Sequence, residues 1–161
     1  MKVFLTIVFV VVIVVIVAVF VGRSLPVKHT ASISASFTSS PEEVWKVVVN
    51  VSELKSWRKD VKDVTITGLD TFKETGSNGE IEYRVSNSVK GVSHVATIIT
   101  KDIPFGGEWT YAFAKEGSGC KLTITENGEV YNPLFRFMSK YIFGHDGTLK
   151  AYMKDLQARI K

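Results

Sequence analysis

The side chains that could carry chemistry in this sequence are three histidines, one carboxylate and a set of aromatics. His29, His94 and His145 are scattered along the chain. None belongs to an H-x-x-x-H or H-E-x-x-H pair, the spacing that sets two imidazoles on one helix face around a metal. The sequence therefore gives no reason to expect a metal or other cofactor. His145 precedes Asp146 in Phe143-Gly144-His145-Asp146-Gly147. At the mouth of a cavity it could act as a general acid or base; the plainer reading is a solvent-facing residue in a helix break. Most carboxylates alternate with apolar strand residues and read as solvated. Glu126 keeps step with Leu122 and Ile124, so a regular strand points it inward. There it could pair with Arg136 or hydrogen-bond a ligand, whereas a bulge at Asn127-Gly128 would throw it outward. No G-x-S-x-G elbow and no phosphate-binding glycine loop occurs, and no residue is assigned as catalytic.

The aromatics are more numerous. Trp109, Tyr111 and Phe113 share one face of a strand, as Tyr83 does with Ile81 and Val85. Phe135, Phe137, Met138, Tyr141 and Phe143 crowd the start of the C-terminal segment. Such side chains either fill a core or line a hollow one, where tyrosine hydroxyls could orient a ligand's polar group.

Positioning these groups requires strands and helices in a definite order. Ile33, Ala35 and Phe37 alternate with serines, which predicts a first strand over 27–37. Ser40-Pro41-Glu42-Glu43 is a capping box with proline at the first helical position, followed by the stripe Val44, Trp45, Val47 and Val48. A second short helix is expected from Ser52 to Trp57. Strands are then expected over 61–67, around 81–85, over 92–101, around 109–113 and over 121–130. Gly76-Ser77-Asn78-Gly79 and Gly117-Ser118-Gly119 serve as turns. Leu149, Tyr152, Met153, Leu156 and Ile160 form one face of a final helix. Gly144 and Gly147 predict a kink before it, or two helices with Asp146 capping the second. The order suggests an antiparallel meander laid against that helix.

From Val3 to Val21 every residue is apolar except Thr6. As a helix this run is about 28 Å long, close to the hydrocarbon thickness of a bilayer. It exceeds a signal-peptide core and lacks a small-residue cleavage pattern at its end. The expected organisation is a transmembrane anchor over 1–22, a linker over 23–27 and one soluble domain over 28–161. Basic residues flank the span evenly, so they leave orientation undecided; the short tail ahead of it favours the domain on the extracytoplasmic side. Cys120 is the chain's one cysteine and can form no internal disulfide. The net charge of +4 is spread without a dense basic run, which argues against nucleic acid as a partner.

Three places in this order resemble the START-like superfamily, also called SRPBCC, which includes polyketide cyclase/dehydrase-like proteins. They are Ser39-Ser40-Pro41-Glu42-Glu43-Val44-Trp45, Trp57 within Leu54-Lys55-Ser56-Trp57-Arg58, and the end of the domain. That end comprises Gly119 to Thr123, Gly128-Glu129-Val130, Asn132-Pro133-Leu134-Phe135-Arg136-Phe137 and the last helix. The resemblance implies an α+β helix-grip fold over Val27 to Lys161: a curved antiparallel sheet wrapped around a long C-terminal helix, with two short helices after the first strand. It also implies an apolar cavity between sheet and helix, with Tyr83, Trp109, Tyr111, Phe113, Glu126, Phe135, Phe137, Met138, Tyr141 and His145 as candidate lining residues.

The expected function is a membrane-tethered binding protein that holds a lipid or other small hydrophobic molecule there. Entry would use movement about Gly144 and Gly147. The alternatives are a cyclase/dehydrase-type enzyme using a tyrosine, His145 or Glu126 for proton transfer, and a regulatory domain with a filled core that acts through a protein partner the sequence does not identify.

Overall fold

A computed structural model describes residues 1–160. The apolar run forms one helix, α1 (Lys2–Ser24), about 34 Å long. By length and composition it can cross a membrane. Its large apolar side chains from Val3 to Val17 are exposed, and only Ala18 and Gly22 are buried. The helix reaches two residues into the segment expected as linker.

The rest is a seven-stranded sheet with helices against it. The strands are β1 (Lys28–Phe37), β2 (Val61–Ile66), β3 (Thr71–Gly76), β4 (Gly79–Val89), β5 (Ser93–Ile98), β6 (Phe105–Glu116) and β7 (Gly119–Val130). Their spatial order is β1-β7-β6-β5-β4-β3-β2, antiparallel throughout. Every connection from β2 to β7 is a hairpin or short loop. The one long crossover, from β1 to β2, carries α2 (Pro41–Val49), a 3₁₀ turn (Val51–Glu53) and α3 (Leu54–Trp57). α2 starts as its sequence dictates: Ser40 Oγ accepts the Glu43 N–H, and Glu43 Oε2 accepts the Ser40 N–H at 2.8 Å.

Six strands were expected from alternation, and the seventh, β3, was not. Its inward positions are Phe72 and Glu74, both buried. A carboxylate at an inward position breaks the apolar pattern from which a half-buried strand is read.

The C-terminal segment is two helices. α4 (Pro133–Met138) opens with Asn132 Oδ1 accepting the Leu134 N–H at 2.9 Å, then widens into a π-helical turn (Ser139–Phe143). Gly144, at φ 75°, breaks it. That value lies in the left-handed region that glycine alone enters freely. α5 (Gly147–Arg159) follows. Asp146 holds the N-cap position but makes no side-chain cap; its carboxylate meets Lys150 Nζ at 2.6 Å. The break is the two-helix alternative that Gly144 and Gly147 predict, and behind it α5 is the expected C-terminal helix. Its buried face is the expected stripe of Leu149, Tyr152, Met153 and Leu156, with Asp155 added. Asp155 Oδ2 accepts the Lys59 N–H at 3.0 Å, tying α5 to the end of α3.

The register defines two ends of the sheet. At the near end, next to α1, lie Lys28, Val130, Phe105, Ile98 and the Gly76–Gly79 hairpin. At the far end lie Phe37, Cys120, Glu116, Ser93 and Thr71. Phe37, Val44, Phe113, Cys120, Leu122, Ile124, Leu149 and Leu156 belong to the continuous buried core.

Candidate functional site

Where the sheet continues past this core toward the near end, sheet and helices separate and enclose a cavity of about 580 Å³. That is within the range of small-molecule sites. Its floor is aromatic. Tyr152 of α5 meets Trp57 edge-on at 5.3 Å between ring centroids, Trp109 edge-on at 5.5 Å and Tyr111 at 5.7 Å. Phe72 and Tyr83 stack at 5.2 Å on the β3–β4 side.

Beside this floor, in the cavity wall, is an ion cluster. Arg58 donates two hydrogen bonds to Asp60, from Nε at 3.1 Å and Nη2 at 2.6 Å, and a third from Nη1 to Glu74. The guanidinium also lies 5.3 Å from the Tyr152 ring centroid. Burial opposes the Arg58 charge, but the Asp60 hydrogen bonds and the attraction of Glu74 and Asp60 outweigh it. Burial likewise raises the Glu74 carboxyl, with Arg58 resisting. Arg58 is therefore already neutralised by two carboxylates, and an anionic ligand would find no free cation there.

The second polar feature lies toward the mouth. β7 runs without a bulge from Gly119 to Val130, so Glu126 stays on the Leu122–Ile124 face and enters the cavity. It meets His29 of β1, with Oε1 3.6 Å from His29 Nε2, where the sequence allows Arg136 or a ligand as its partner. His29 in turn stacks on His145 at 4.2 Å between centroids. Burial pushes the Glu126 carboxyl up to about 7, with the facing Trp109 indole opposing the shift. Burial, and then His145, lower the His29 pKa. His145 is lowered by burial and by Lys140, against Asp146. Glu126 Oε2 and His145 Nδ1 are buried without a hydrogen-bond partner among the described residues. A half-buried carboxyl with its pKa pushed up to about 7, beside an imidazole that burial biases toward the neutral form, can bind a hydrogen-bond donor or move a proton. Deeper inside, His94 is held neutral, its pKa pushed down to about 4 by burial. Its Nδ1 lies 3.1 Å from Ser88 Oγ. Among the described residues no three His, Cys, Asp or Glu side chains converge on a point that could hold a metal.

Of the candidate lining residues, Tyr83, Trp109, Tyr111, Glu126, Phe135, Met138 and His145 border the cavity. Phe113, four residues beyond Trp109 on the same strand face, lies in the solid core. Phe137 and Tyr141 are one helical turn apart on another face of the α4 segment; their rings meet at 5.0 Å, and Tyr141 is 59% exposed. His145 is half-buried against His29 instead of facing solvent, as its plainer reading had it. Arg58, Glu74, His29, His94 and Tyr152 also line the cavity and were not foreseen. Only Tyr152 carried a usable signal, its place on the apolar stripe of the last helix.

No family model matches the sequence, and no curated protein does. The fold has many solved counterparts. A START superfamily protein from Mycobacterium smegmatis aligns over 82% of this chain and 97% of its own, at TM-score 0.69 and 16% identity. Norcoclaurine synthase from Thalictrum aligns over 83% of this chain and 94% of its own, at 0.66 and 12%. The di-domain ARO/CYC StfQ of the steffimycin biosynthetic pathway aligns over 83% of this chain and 51% of its own, at 0.67 and 8%. Identities this low speak for the fold alone: the chain carries the START-like, α+β helix-grip fold behind an N-terminal apolar helix.

Proposed function

We propose that the protein is a membrane-tethered binding protein that holds a small, mainly hydrophobic molecule with a polar group in the cavity between sheet and C-terminal helices. α1 would serve as the span, and the domain from Lys28 onward as the binding unit. The observation that carries the reading is the cavity itself, with its aromatic floor and its polar group at Glu126, His29 and His145. A dry void of 580 Å³ would cost on the order of 10 kcal/mol, comparable with the whole stability of a domain. The space is therefore filled in solution, by water or by a ligand. Burial of apolar ligand surface, at about 25 cal/mol per Å², favours the ligand. The START-like fold of the solved counterparts supports the same reading.

The test is native mass spectrometry of the full chain released from its own membrane, beside lipid extraction of the same sample. An apolar species at stoichiometric amount is the expected result. Protein that arrives empty, and takes up neither a fluorescent fatty acid nor a fluorescent fatty amine, would overturn the reading.

The contact of Glu126 with His29 and the His29–His145 stack also favour a second reading, a cyclase/dehydrase-type enzyme acting by proton transfer. It predicts that Glu126→Gln protein recovered from the same membrane holds a different molecule from the wild type, for instance one heavier by a water. The same molecule in both would leave binding alone.

A further inference from the structure

The cavity mouth and the C-terminal end of α1 lie at the same end of the sheet, and they are packed into one another. Pro133, the first residue of α4, rests on Gly22, where a Cβ would overlap the Pro133 carbonyl oxygen. Ala18, one turn earlier, is buried as well. Arg136 Nη1 donates to the Leu25 carbonyl at 3.2 Å. The α4 segment, which forms one lip of the mouth, is thus held at the end of the apolar helix and cannot swing independently of it.

The outer surface of that lip is apolar and exposed at Phe135, Ile142 and Phe143, of which Phe135 and Phe143 also line the mouth. Beside it, between residues 25–30 and α4, is a smaller cavity of about 220 Å³ bordered by Lys28, Arg136, Lys140 and His145. Arg136 Nε is buried there with no hydrogen-bond partner among the described residues. Lys28 reaches Glu129 at 3.5 Å. Exposed apolar side chains flanked by cations suit the boundary between lipid headgroups and acyl chains. Water solvates the cations but gives the exposed apolar side chains nothing in return.

We infer that the near end of the domain lies on the bilayer that α1 crosses, with Phe135, Ile142 and Phe143 at the acyl boundary and Arg136 and Lys140 on lipid phosphates. The cavity then opens onto the membrane, and an apolar molecule passes between bilayer and cavity without crossing water. This rests on the reading of α1 as a span.

The test places an environment-sensitive fluorophore on single added cysteines in the full chain reconstituted in vesicles of neutral and anionic phospholipid. Cys120 is fully buried and remains unlabelled. Ile142→Cys reports the near end and Ser118→Cys, in the β6–β7 turn, the far end; Phe143→Cys repeats the first. The expected result is blue-shifted emission at 142 and 143, quenched by lipids carrying a quencher beneath the headgroup, with solvent-like emission at 118. Arg136→Gln with Lys140→Gln lowers the docked-to-undocked ratio on anionic vesicles on the order of tenfold. Solvent-like emission at both ends overturns the inference. Extraction of the chain by alkaline carbonate overturns it too, by removing the span. Solvent-like emission from protein that still carries a bound apolar species would defeat docking while leaving ligand binding in place.

Discussion

Glu74 accepts a hydrogen bond from Arg58 Nη1 at 2.7 Å, with side chains only 8% and 11% exposed. The pair joins β3 to the end of α3 in the cavity wall, and Asp60, 36% exposed, completes it from the rim. Breaking a buried pair from one side leaves an uncompensated charge and costs about 3–5 kcal/mol. Arg58→Met is therefore expected to destabilise the full chain by that amount in urea unfolding. Arg58→Met with Glu74→Leu should recover most of the loss, because apolar replacement of both partners removes the stranded charge. A loss below about 1 kcal/mol in the single variant would show that the floor does not depend on the pair.

Glu126 gives stability a definite pH dependence. Its folded pKa of about 7 lies above the ordinary 4.5. The folded state therefore holds the proton more tightly than the unfolded state. The penalty is absent below pH 4.5, grows as pH rises toward 7 and is complete above it. Glu126→Gln should raise stability above pH 7 by up to about 3 kcal/mol and change little at pH 4. His94 works in the opposite direction, because its folded pKa of about 4 lies below the ordinary 6.5. Its contribution is complete above pH 6.5 and is lost as pH falls toward 4. The two offset one another between pH 4.5 and 6.5, so the variant should show a steeper acid loss there than the wild type. Parallel profiles for variant and wild type would place the Glu126 carboxyl in solvent.

The ionisable groups facing the cavity constrain the polar group of a ligand bound as proposed. Asp60, Glu74, Glu108, Glu126 and Glu129 border it, and its cation, Arg58, is already paired with Asp60 and Glu74. The three histidines His29, His94 and His145 are biased toward the neutral form. An added carboxylate meets unpaired negative charge, whereas an amine or hydroxyl can donate to Glu126 Oε2. Among alkyl ligands of one chain length, the amine and alcohol should compete better than the carboxylate, on the order of tenfold at neutral pH. Displacement of a fluorescent alkyl probe measures the order. Tightest binding by the carboxylate would contradict this assignment of the polar group.

Much of the fold was legible because local chemistry repeated the global pattern. The serine–alanine alternation of β1, the Ser40–Glu43 box and the Leu149–Leu156 stripe each obey the period of their element. The site was legible only in part, since its polar residues break that period. Glu74 hides β3 because its partner, Arg58, comes from a different element. His29 and His145 are 116 positions apart and meet only through the closure of β1 on β7 and the turn at Gly144. Composition alone groups Phe113, Phe137 and Tyr141 with the lining, because it does not say where along a strand the cavity gives way to core, or which face of a short helix it meets.

Gly22 is the last position where sequence and packing give a sharp expectation. In an isolated span a glycine there would only lower helix propensity. In the folded chain it lets α1 rest on Pro133, leaving no space for a side chain. Close-packed backbones do not yield to an added isobutyl group, so Gly22→Leu should part α1 from α4 while leaving the sheet and the core at Leu122, Ile124 and Leu156 intact. Hydrogen exchange of the full chain in lipid discs separates the two. Faster exchange is expected at residues 133–143 with unchanged protection in β6 and β7. Unchanged exchange at 133–143 would mean that the lip of the cavity is held by the domain alone, and that α1 carries the domain as a passive tether.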